Sequence, residues 1–263
     1  MIKKRIIFAL LYQDGYFYLS RNFKLQKVGD LNWLINNFGF GVTSNHIDEL
    51  ICLLVKKQPT SNDKKQFFDD INELRKKIFI PITLGGGIRD FKDVSDYFNN
   101  GADKVLLNTS IFKENLTREI SEIYGEQSIS IMIDYQSDKS NEDKIFVNCG
   151  TKFQMNLSKF FSKMNQIQFG EIILNSIEND GTGNGLDLKI INKIPNNWKK
   201  KPILLMGGAG KPEHIAEGLK NDIVSGVITA NLFNFLGTGL EDSRKKSIKQ
   251  KINLANFSSK III

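Results

Sequence analysis

The sequence predicts an α/β protein built as a single (β/α)8 barrel of the TIM type, with two half-barrels that repeat each other. Short apolar segments alternate with stretches that can form amphipathic helices, as in a parallel sheet whose outer face is covered. The chain also repeats itself internally. Its 263 residues contain no linker-like run, and a barrel of this type uses about 250 residues. We therefore expect residues 1–263 to form one domain.

The predicted strands and helices alternate along the chain. Strands are expected at Arg5–Leu11, Glu49–Val55, Ile80–Leu84, Lys104–Leu107, Ser128–Ile133, Glu171–Asn175, Ile203–Met206 and Gly226–Thr229. Helices are expected at Lys64–Lys77, Phe91–Asn99, Leu188–Lys193 and Pro212–Leu219. The polar segments Ser137–Cys149 and Asn179–Asp187 are predicted to be loops at the strand ends, where barrels carry their sites. Gly239–Gln250 is interpreted as a solvated loop rather than a partner surface.

The internal repeat is the most informative pattern in the chain. Pro81–Phe112 aligns without a gap on Pro202–Phe233, and a similar offset lays the first strand on Ser128–Gln136. Each copy of the longer match runs from an apolar strand through a glycine turn into a helix and a second strand. In the shorter match, Asp134 of the second half corresponds to Leu11 of the first. The two halves therefore differ by one acid at the same place.

Each half carries a glycine turn of the kind that binds phosphate. Gly85-Gly86-Gly87 precedes a helix that begins near Asp90, and Gly207-Gly208-Ala209-Gly210 precedes Pro212. Glycines let backbone amides approach an anion closely, and the amino terminus of a helix favours negative charge. Two such turns on opposite sides of a barrel mouth predict a ligand with two phosphates. The alternative is that both are tight turns without a ligand.

Composition and charge argue against several classes of function. The formal net charge of +7 favours an anionic ligand or reflects a lysine-rich surface, and no basic stretch is interleaved with aromatics, so no nucleic-acid partner is expected. Cys52 and Cys149 lack metal or redox spacing and His46 and His214 are isolated, so neither a metal nor a cofactor is expected. No segment reaches membrane-spanning length, and the short apolar start lacks a cleavage site, so we expect a cytoplasmic protein without a membrane partner.

These motifs resemble the HisF family, the cyclase subunit of imidazole glycerol phosphate synthase, from Arg5 to about Phe235. The most specific matches are Gly85–Asp90, Gly101–Val105, Asn108-Thr109, Asn179–Thr182 and Gly207–Lys211. In that family the barrel receives ammonia from a docked glutaminase and delivers it to a substrate with two phosphates. The resemblance implies one phosphate site made by Gly86, Gly87, Asn108 and Thr109. It implies a second made by Asp180, Gly181, Gly207, Gly208, Ala230 and Asn231, where Asn231 replaces the usual serine.

The resemblance also implies a damaged catalytic centre. The family uses two aspartates as general acid and base, one ending the first strand and one ending the fifth. Asp134 matches the second of these, but Leu11 occupies the place of the first. Leu19 and Leu54 stand where the family has a lysine and an aspartate, and we expect the three leucines to share one cavity. Losing one member of an acid–base pair costs roughly 10²–10⁴-fold in rate, so ordinary cyclase catalysis is not expected.

Four charged residues open strands at the opposite end of the barrel. They are Arg5, Glu49, Lys104 and Glu171, and they should converge at that face with alternating charge. One interpretation is a salt-bridged plug, because this face of a barrel usually serves stability. The resemblance implies another: in the family these positions form the gate of the ammonia channel beside the glutaminase. Asp103 matches a family residue at that interface.

Three functions stay open. A barrel with this gate and these turns, but without the first aspartate, resembles a divergent branch of the family that accompanies surface-polysaccharide genes. The Leu10-Leu11 pair and Lys27–Asp30 are similar to that branch. This resemblance implies a heterodimer with a HisH-like glutaminase that channels ammonia to an ATP-dependent sugar amidotransferase forming acetamidino sugars. The alternatives are a histidine-pathway cyclase and a non-catalytic barrel that binds a phosphorylated small molecule.

Overall fold

Eight parallel strands close into a barrel in the computed structural model of the chain, which describes residues 3–38, 44–113, 115–137, 142–230 and 238–255. In chain order the strands are β1 (Arg5–Gln13), β2 (Tyr16–Arg21), β3 (Lys24–Gly29), β4 (Glu49–Leu54), β5 (Ile82–Gly85), β6 (Lys104–Leu107), β7 (Ile129–Gln136), β8 (Lys144–Val147), β9 (Lys152–Asn156), β10 (Glu171–Ser176), β11 (Ile203–Met206) and β12 (Val224–Thr229). The barrel runs β1-β4-β5-β6-β7-β10-β11-β12 and returns to β1. This confirms the predicted (β/α)8 fold class.

Helices follow most of the barrel strands. They are α1 (Leu31–Phe38), α2 (Ser61–Arg75), α3 (Phe91–Asn99), α4 (Leu116–Tyr124), α5 (Leu157–Lys163), α6 (Pro212–Lys220) and α7 (Gly239–Lys249). Their starts obey local rules. Thr60 and Asp63 cap each other's backbone at α2, Asp90 accepts a hydrogen bond from the Asp93 amide at α3, and Pro212 occupies the first turn of α6. The predicted helix Leu188–Lys193 is a short 3-10 helix.

The barrel strands are buried on both faces, and this produces two apolar layers. On β1, Ile7, Ala9 and Leu11 point into the barrel interior, while the residues between them face the helices. The alternation follows from the two-residue period of a strand. Because both faces are covered, the strands appear in the sequence as unbroken apolar runs, which made them predictable.

The internal repeat is visible in the backbone. Gly86 and Gly207 both have φ of +96°, and Gly87 and Gly208 have φ of +64° and +98°. A side chain at Gly86 would clash with the carbonyl oxygen of Leu54, and one at Gly207 would lie 2.6 Å from that of Ser176. Each half also sends an antiparallel hairpin above the barrel, β2–β3 after β1 and β8–β9 after β7. The two-fold organisation therefore extends from the turns to the mouth.

Two segments predicted as loops contain regular structure, so the loop predictions were wrong for the residues in it. Ser137–Cys149 contains β8, a short and partly exposed strand without a long apolar run. Gly239–Gln250 contains α7, whose buried positions are Leu240, Ser243, Arg244 and Ser247. Because mostly polar residues face inward on α7, its sequence resembles a solvated loop. Among the described residues, no helix has the length and hydrophobicity needed to cross a membrane.

Candidate functional site

Asp134 lies at the floor of a cavity at the mouth of the barrel. The cavity has a volume of about 250 Å³, and its apolar lining includes Leu11, Leu53, Leu106, Met132 and Met206. Two amides hold the carboxylate. Asn175 Nδ2 donates to Asp134 Oδ1 at 2.8 Å, and Asn108 Nδ2 donates to Asp134 Oδ2 at 3.1 Å. The acid is thus fixed in an otherwise apolar floor, with 5% of its surface exposed.

This environment makes Asp134 a weak acid. Burial, with a smaller contribution from the nearby Asp180, raises the pKa of Asp134 to about 7 against the lowering effect of the two amides. A carboxyl group with this pKa can both give and accept a proton near neutral pH. Asp134 is therefore suited to proton transfer or to hydrogen bonding with ammonia.

Leu11 faces the interior from the opposite side of the mouth. It ends the inward-facing row of β1, which lies four strands from β7 in either direction round the barrel. No proton can be exchanged at this position. The other two leucines differ from each other: Leu54 reaches the cavity but packs in the outer apolar layer, and Leu19 lines a second cavity. The prediction that all three share one cavity was wrong for Leu19, because the β2–β3 hairpin carries it to the second cavity, while Leu11 and Leu54 both line the first.

The first glycine turn lies at the rim of the Asp134 cavity. The four residues that were predicted to form one phosphate site all line this cavity: Gly86, Gly87, Asn108 and Thr109. The hydroxyl of Tyr97 donates to the Gly86 carbonyl oxygen and so anchors the turn to α3. Cationic side chains border the same cavity, at Lys56, Lys57, Arg89 and Lys113. Glycine amides and several positive charges beside one cavity form a setting that suits an anion.

The second glycine turn lies in a separate, larger cavity of about 750 Å³. The lining includes the predicted residues Asp180, Gly181, Gly207, Gly208 and Ala230. Asn231, assigned to the same phosphate, lies outside the described residues.

Asp180 is already engaged by the β2–β3 hairpin. Burial raises the pKa of Asp180, while the Ser20 hydroxyl and the Phe23 amide, which donate to its carboxylate at 2.5 and 3.0 Å, lower it.

Four charged side chains form a closed ring at the amino-terminal end of the barrel. Arg5 bridges Glu49 at 2.8 Å and Glu171 at 2.7 Å, and Lys104 bridges the same two carboxylates at 2.9 and 3.0 Å. Each carboxylate also accepts a hydrogen bond from a hydroxyl: Thr83 donates to Glu49 at 2.7 Å, and Ser130 donates to Glu171 at 2.5 Å. The predicted convergence of alternating charges is confirmed. Asp103 lies next to the ring, exposed, and its carboxylate accepts from the Ile82 amide at 2.7 Å.

Opposite charges in the ring stabilise the ionised forms of Arg5 and Glu171. Burial alone would raise the pKa of Glu171, but the charges of Arg5 and Lys104 hold it below its ordinary value. Burial alone would lower the pKa of Arg5, but Glu171 and Glu49 raise it above its ordinary value. Arg5 and Glu171 therefore stay charged across the neutral range, and the ion pair between them is maintained.

Comparison with known proteins identifies the lineage. The family model described as "Histidine biosynthesis protein" matches residues 43–238. A candidate imidazole glycerol phosphate synthase subunit hisF2 from Parasynechococcus marenigrum is 44% identical over 260 residues, covering 98% of this chain and 95% of the relative. The chain belongs to the HisF family. The imidazole glycerol phosphate synthase subunit HisF of Streptococcus mutans is 31% identical over 93% of this chain and 96% of its own, and that of Leptospira biflexa is 34% identical over 76% and 79%.

This HisF-family barrel has site residues that the sequence did not reveal. Asn175 holds Asp134, Ser130 and Thr83 complete the ring, and Ser20 binds Asp180. For Asn175 a signal existed, since it is a polar residue that ends an apolar strand next to the predicted mouth. Ser20 gave no such signal, because its role depends on how the hairpin folds back over the barrel.

Proposed function

We propose that this chain is an ammonia-channelling barrel that pairs with a HisH-like glutaminase and supplies ammonia for acetamidino-sugar formation in surface polysaccharide biosynthesis. One observation carries the proposal: the closed ring of Arg5, Glu49, Lys104 and Glu171 lies below a mouth in which Leu11 faces Asp134. The residues that the family resemblance assigns to ammonia entry are all present. One of the two residues that it assigns to cyclisation is absent.

The interior between the two ends suits neutral ammonia. It is lined by aliphatic side chains, among them Ile7, Ala9, Ile51, Ile173 and Leu204. An ammonium ion would lose its hydration in such a lining at high cost, whereas neutral ammonia would lose little. At the far end, Asp134 and Asn175 offer hydrogen-bonding groups to the emerging molecule. Asp103, beside the ring, is proposed to contact the glutaminase.

The mouth is poorly equipped for the cyclase reaction itself. A general acid and a general base must act on opposite sides of the substrate, and Leu11 can do neither. Losing one such group costs roughly 10²–10⁴-fold in rate. The chemistry on the sugar is therefore assigned to a third protein, an ATP-dependent sugar amidotransferase. A cytoplasmic location fits this role, since Cys52 and Cys149 are free thiols as in a reducing compartment.

Turnover of the histidine-pathway substrate with added ammonia tests the proposal. The natural chain, its Leu11→Asp variant and the uncharged Leu11→Asn control are compared, all purified without a partner. We expect no turnover by the natural chain or by Leu11→Asn, and a gain only in Leu11→Asp. Clear turnover by the natural chain would restore the cyclase assignment. A pull-down with the HisH-like glutaminase, and loss of the complex in Asp103→Lys, test the pairing separately.

A second candidate function is the histidine-pathway cyclase. It is supported by the two glycine turns, which both lie at cavities of the mouth, and by the names of the relatives. It predicts that the natural chain rescues a histidine auxotroph. The third possibility, a barrel that only binds a phosphorylated metabolite, predicts ligand binding without any complex with a glutaminase.

A further inference from the structure

Two hairpins flank the opening of the Asp134 cavity, β2–β3 on one side and β8–β9 on the other. Phe23 and Cys149 in their turns and Leu25 on β3 all line this cavity. The ring of Phe23 lies so close to the other hairpin that a side chain at Gly150 would clash with it. The two hairpins therefore meet beside the opening and form one continuous surface there.

This surface exposes large apolar side chains. Phe153 on β9 is 50% exposed, and Leu25 on β3 is 38% exposed. Asp134 pairs with Phe146, and Phe146 pairs with Phe153, so these three side chains lie on the same face of the sheet. The rings of Phe146 and Phe153 are in edge contact, with 6.2 Å between their centroids. Apolar rings thus continue from the face that carries Asp134 out to a half-exposed phenylalanine.

The charges on both hairpins are of one sign. The β2–β3 hairpin carries Arg21, Lys24 and Lys27, the β8–β9 hairpin carries Lys144 and Lys152, and neither contains an aspartate or a glutamate. All of these cations except Lys144 are exposed. Exposed apolar side chains with a polar surround are typical of a protein interface. Because interfaces match opposite charges, the cations predict an acidic partner surface.

The charge and the position of this surface decide between the candidate occupants. In a dimer of this chain the same cations would lie opposite one another, which opposes association. Nucleic acid or an anionic lipid surface would match the charge but would leave the ammonia of the proposed function without an acceptor. Ammonia that reached open water at neutral pH would take up a proton and lose its nucleophilic lone pair. The surface therefore fits the protein that consumes the ammonia.

We propose that the β2–β3 and β8–β9 hairpins are the docking surface for the ammonia acceptor, an ATP-dependent sugar amidotransferase whose contact surface is acidic around an apolar recess. Phe153 fills the recess, and the exposed Lys24 and Lys152 contact the acidic surround. Docking there places the acceptor's site over the Asp134 cavity and excludes water from the transfer. The inference rests on the proposed function for the chemistry of the partner. Docking is measured as binding and cyclase chemistry as turnover, so the two proposals can fail separately.

Biolayer interferometry of the purified full chain with the purified amidotransferase tests the apolar part of this surface. We expect Phe153→Asp to weaken the complex by about 30-fold, the effect of losing a central anchor. Phe79→Asp is the matched control, because Phe79 is 97% exposed and precedes β5 at the opposite end of the barrel. The control should change the affinity by less than about twofold. Equal effects of the two variants, or no effect of Phe153→Asp, would overturn the proposal.

A double charge reversal tests the cationic part. Lys24→Glu with Lys152→Glu should lower the association rate constant by about tenfold or more at low salt, and less at high salt. Lys220→Glu with Lys249→Glu changes the net charge equally, in the last turns of α6 and α7 at the opposite end of the barrel. This control should stay within about twofold of the natural chain. An equal loss in the control would show general charge attraction and overturn the assigned surface.

Three results would assign the surface to another occupant and overturn the proposal. They are self-association of the natural chain in analytical ultracentrifugation, binding to phosphatidylserine vesicles and binding to single-stranded DNA, each abolished by Phe153→Asp. If thermal unfolding shows that Phe153→Asp folds poorly, Leu25→Asp on the other hairpin replaces it and should weaken the complex by about tenfold. Failure of the natural chain to bind the amidotransferase, with and without the glutaminase, would overturn the docking surface and leave the turnover test of the proposed function unaffected.

Discussion

Leu11 and Asp134 occupy matching inward positions on opposite sides of the barrel, and each is followed by a buried tyrosine. The hydroxyls of Tyr12 and Tyr135 both point away from the interior and donate to an aspartate outside the sheet. The outward-facing framework is therefore the same in the two halves, while the inward residue differs. The missing acid is a change at one position within a framework that both halves still share.

Tyr12→Phe should destabilise the fold more than Tyr135→Phe. Burial raises the pKa of Asp70, and the hydroxyl of Tyr12 partly offsets this by bonding the carboxylate. Removing that donor leaves the half-buried Asp70 carboxylate without this hydrogen bond and lowers the free energy of unfolding by about 1–3 kcal/mol. In Tyr135→Phe, Asp187 keeps a second donor, the Lys189 amide at 3.0 Å, so this variant should lose less stability. Urea unfolding at pH 7 measures both, and a larger loss for Tyr135→Phe would contradict this account.

Asp134→Asn should remove a pH dependence of stability. The folded-state pKa of Asp134 is about 7, above the ordinary value of 3.8. Between these pH values the carboxyl group is protonated in the folded state and ionised in the unfolded state. Its contribution to the free energy of unfolding is therefore fully present below about pH 4 and is lost as the pH rises to about 7. The natural chain should lose about 2–3 kcal/mol relative to the variant between pH 5 and pH 8. Parallel stability curves for the two proteins would show that Asp134 titrates normally.

Arg5→Ala should strongly destabilise the barrel. It leaves Glu49 and Glu171, both buried, with Lys104 as the remaining cation of the ring. Breaking a buried ion pair from one side costs about 3–5 kcal/mol. Arg5→Lys should cost less but more than zero, because lysine at this position lacks the two separate nitrogens with which the guanidinium reaches Glu49 and Glu171. Thermal unfolding distinguishes the three proteins, and a loss below about 1 kcal/mol for Arg5→Ala would contradict a cooperative ring.

Alanine substitutions in the glycine turns should separate backbone strain from steric clash. Gly86→Ala combines a φ of +96° with a clash against backbone, so it should lose the most stability. Gly207→Ala has the same φ and a nearest atom at 2.6 Å, and should lose somewhat less. Gly183→Ala is the control, with a φ of +66° and a nearest atom at 3.9 Å, and should cost only about 1 kcal/mol. Equal losses in urea unfolding would show that clash is unimportant.

The barrel strands were predictable because the fold buries both of their faces. Lys104–Leu107 and Ile203–Met206 have the bounds that the sequence predicted, and the other six strands differ by one to three residues at their ends. The β2–β3 and β8–β9 hairpins escaped prediction. Their strands are partly or mostly exposed, so neither an apolar run nor a clean alternation marks them.

The candidate site was only partly predictable. Residues at strand starts and in repeated turns could be placed, because parallel strands bring equivalent positions to the same end of a barrel. The ring and the described members of both groups of turn residues lie at the ends of the barrel that the sequence predicted, while Asn231 is outside the described residues. Their proposed roles, at the ammonia gate and the phosphates, stay predictions. The partners Asn175 and Ser20 were missed because each acts on a residue more than 40 positions away.

The sequence by itself determined the barrel, its repeat, the charges at one end and the missing acid at the other. These features depend on local periodicity and on which residue ends a strand. Only the tertiary structure decided which leucines share a cavity, how weak an acid Asp134 is and which residues hold Asp180. Those properties arise from burial and from contacts between segments far apart in the chain, such as Ser20 and Asp180, and no local pattern encodes them.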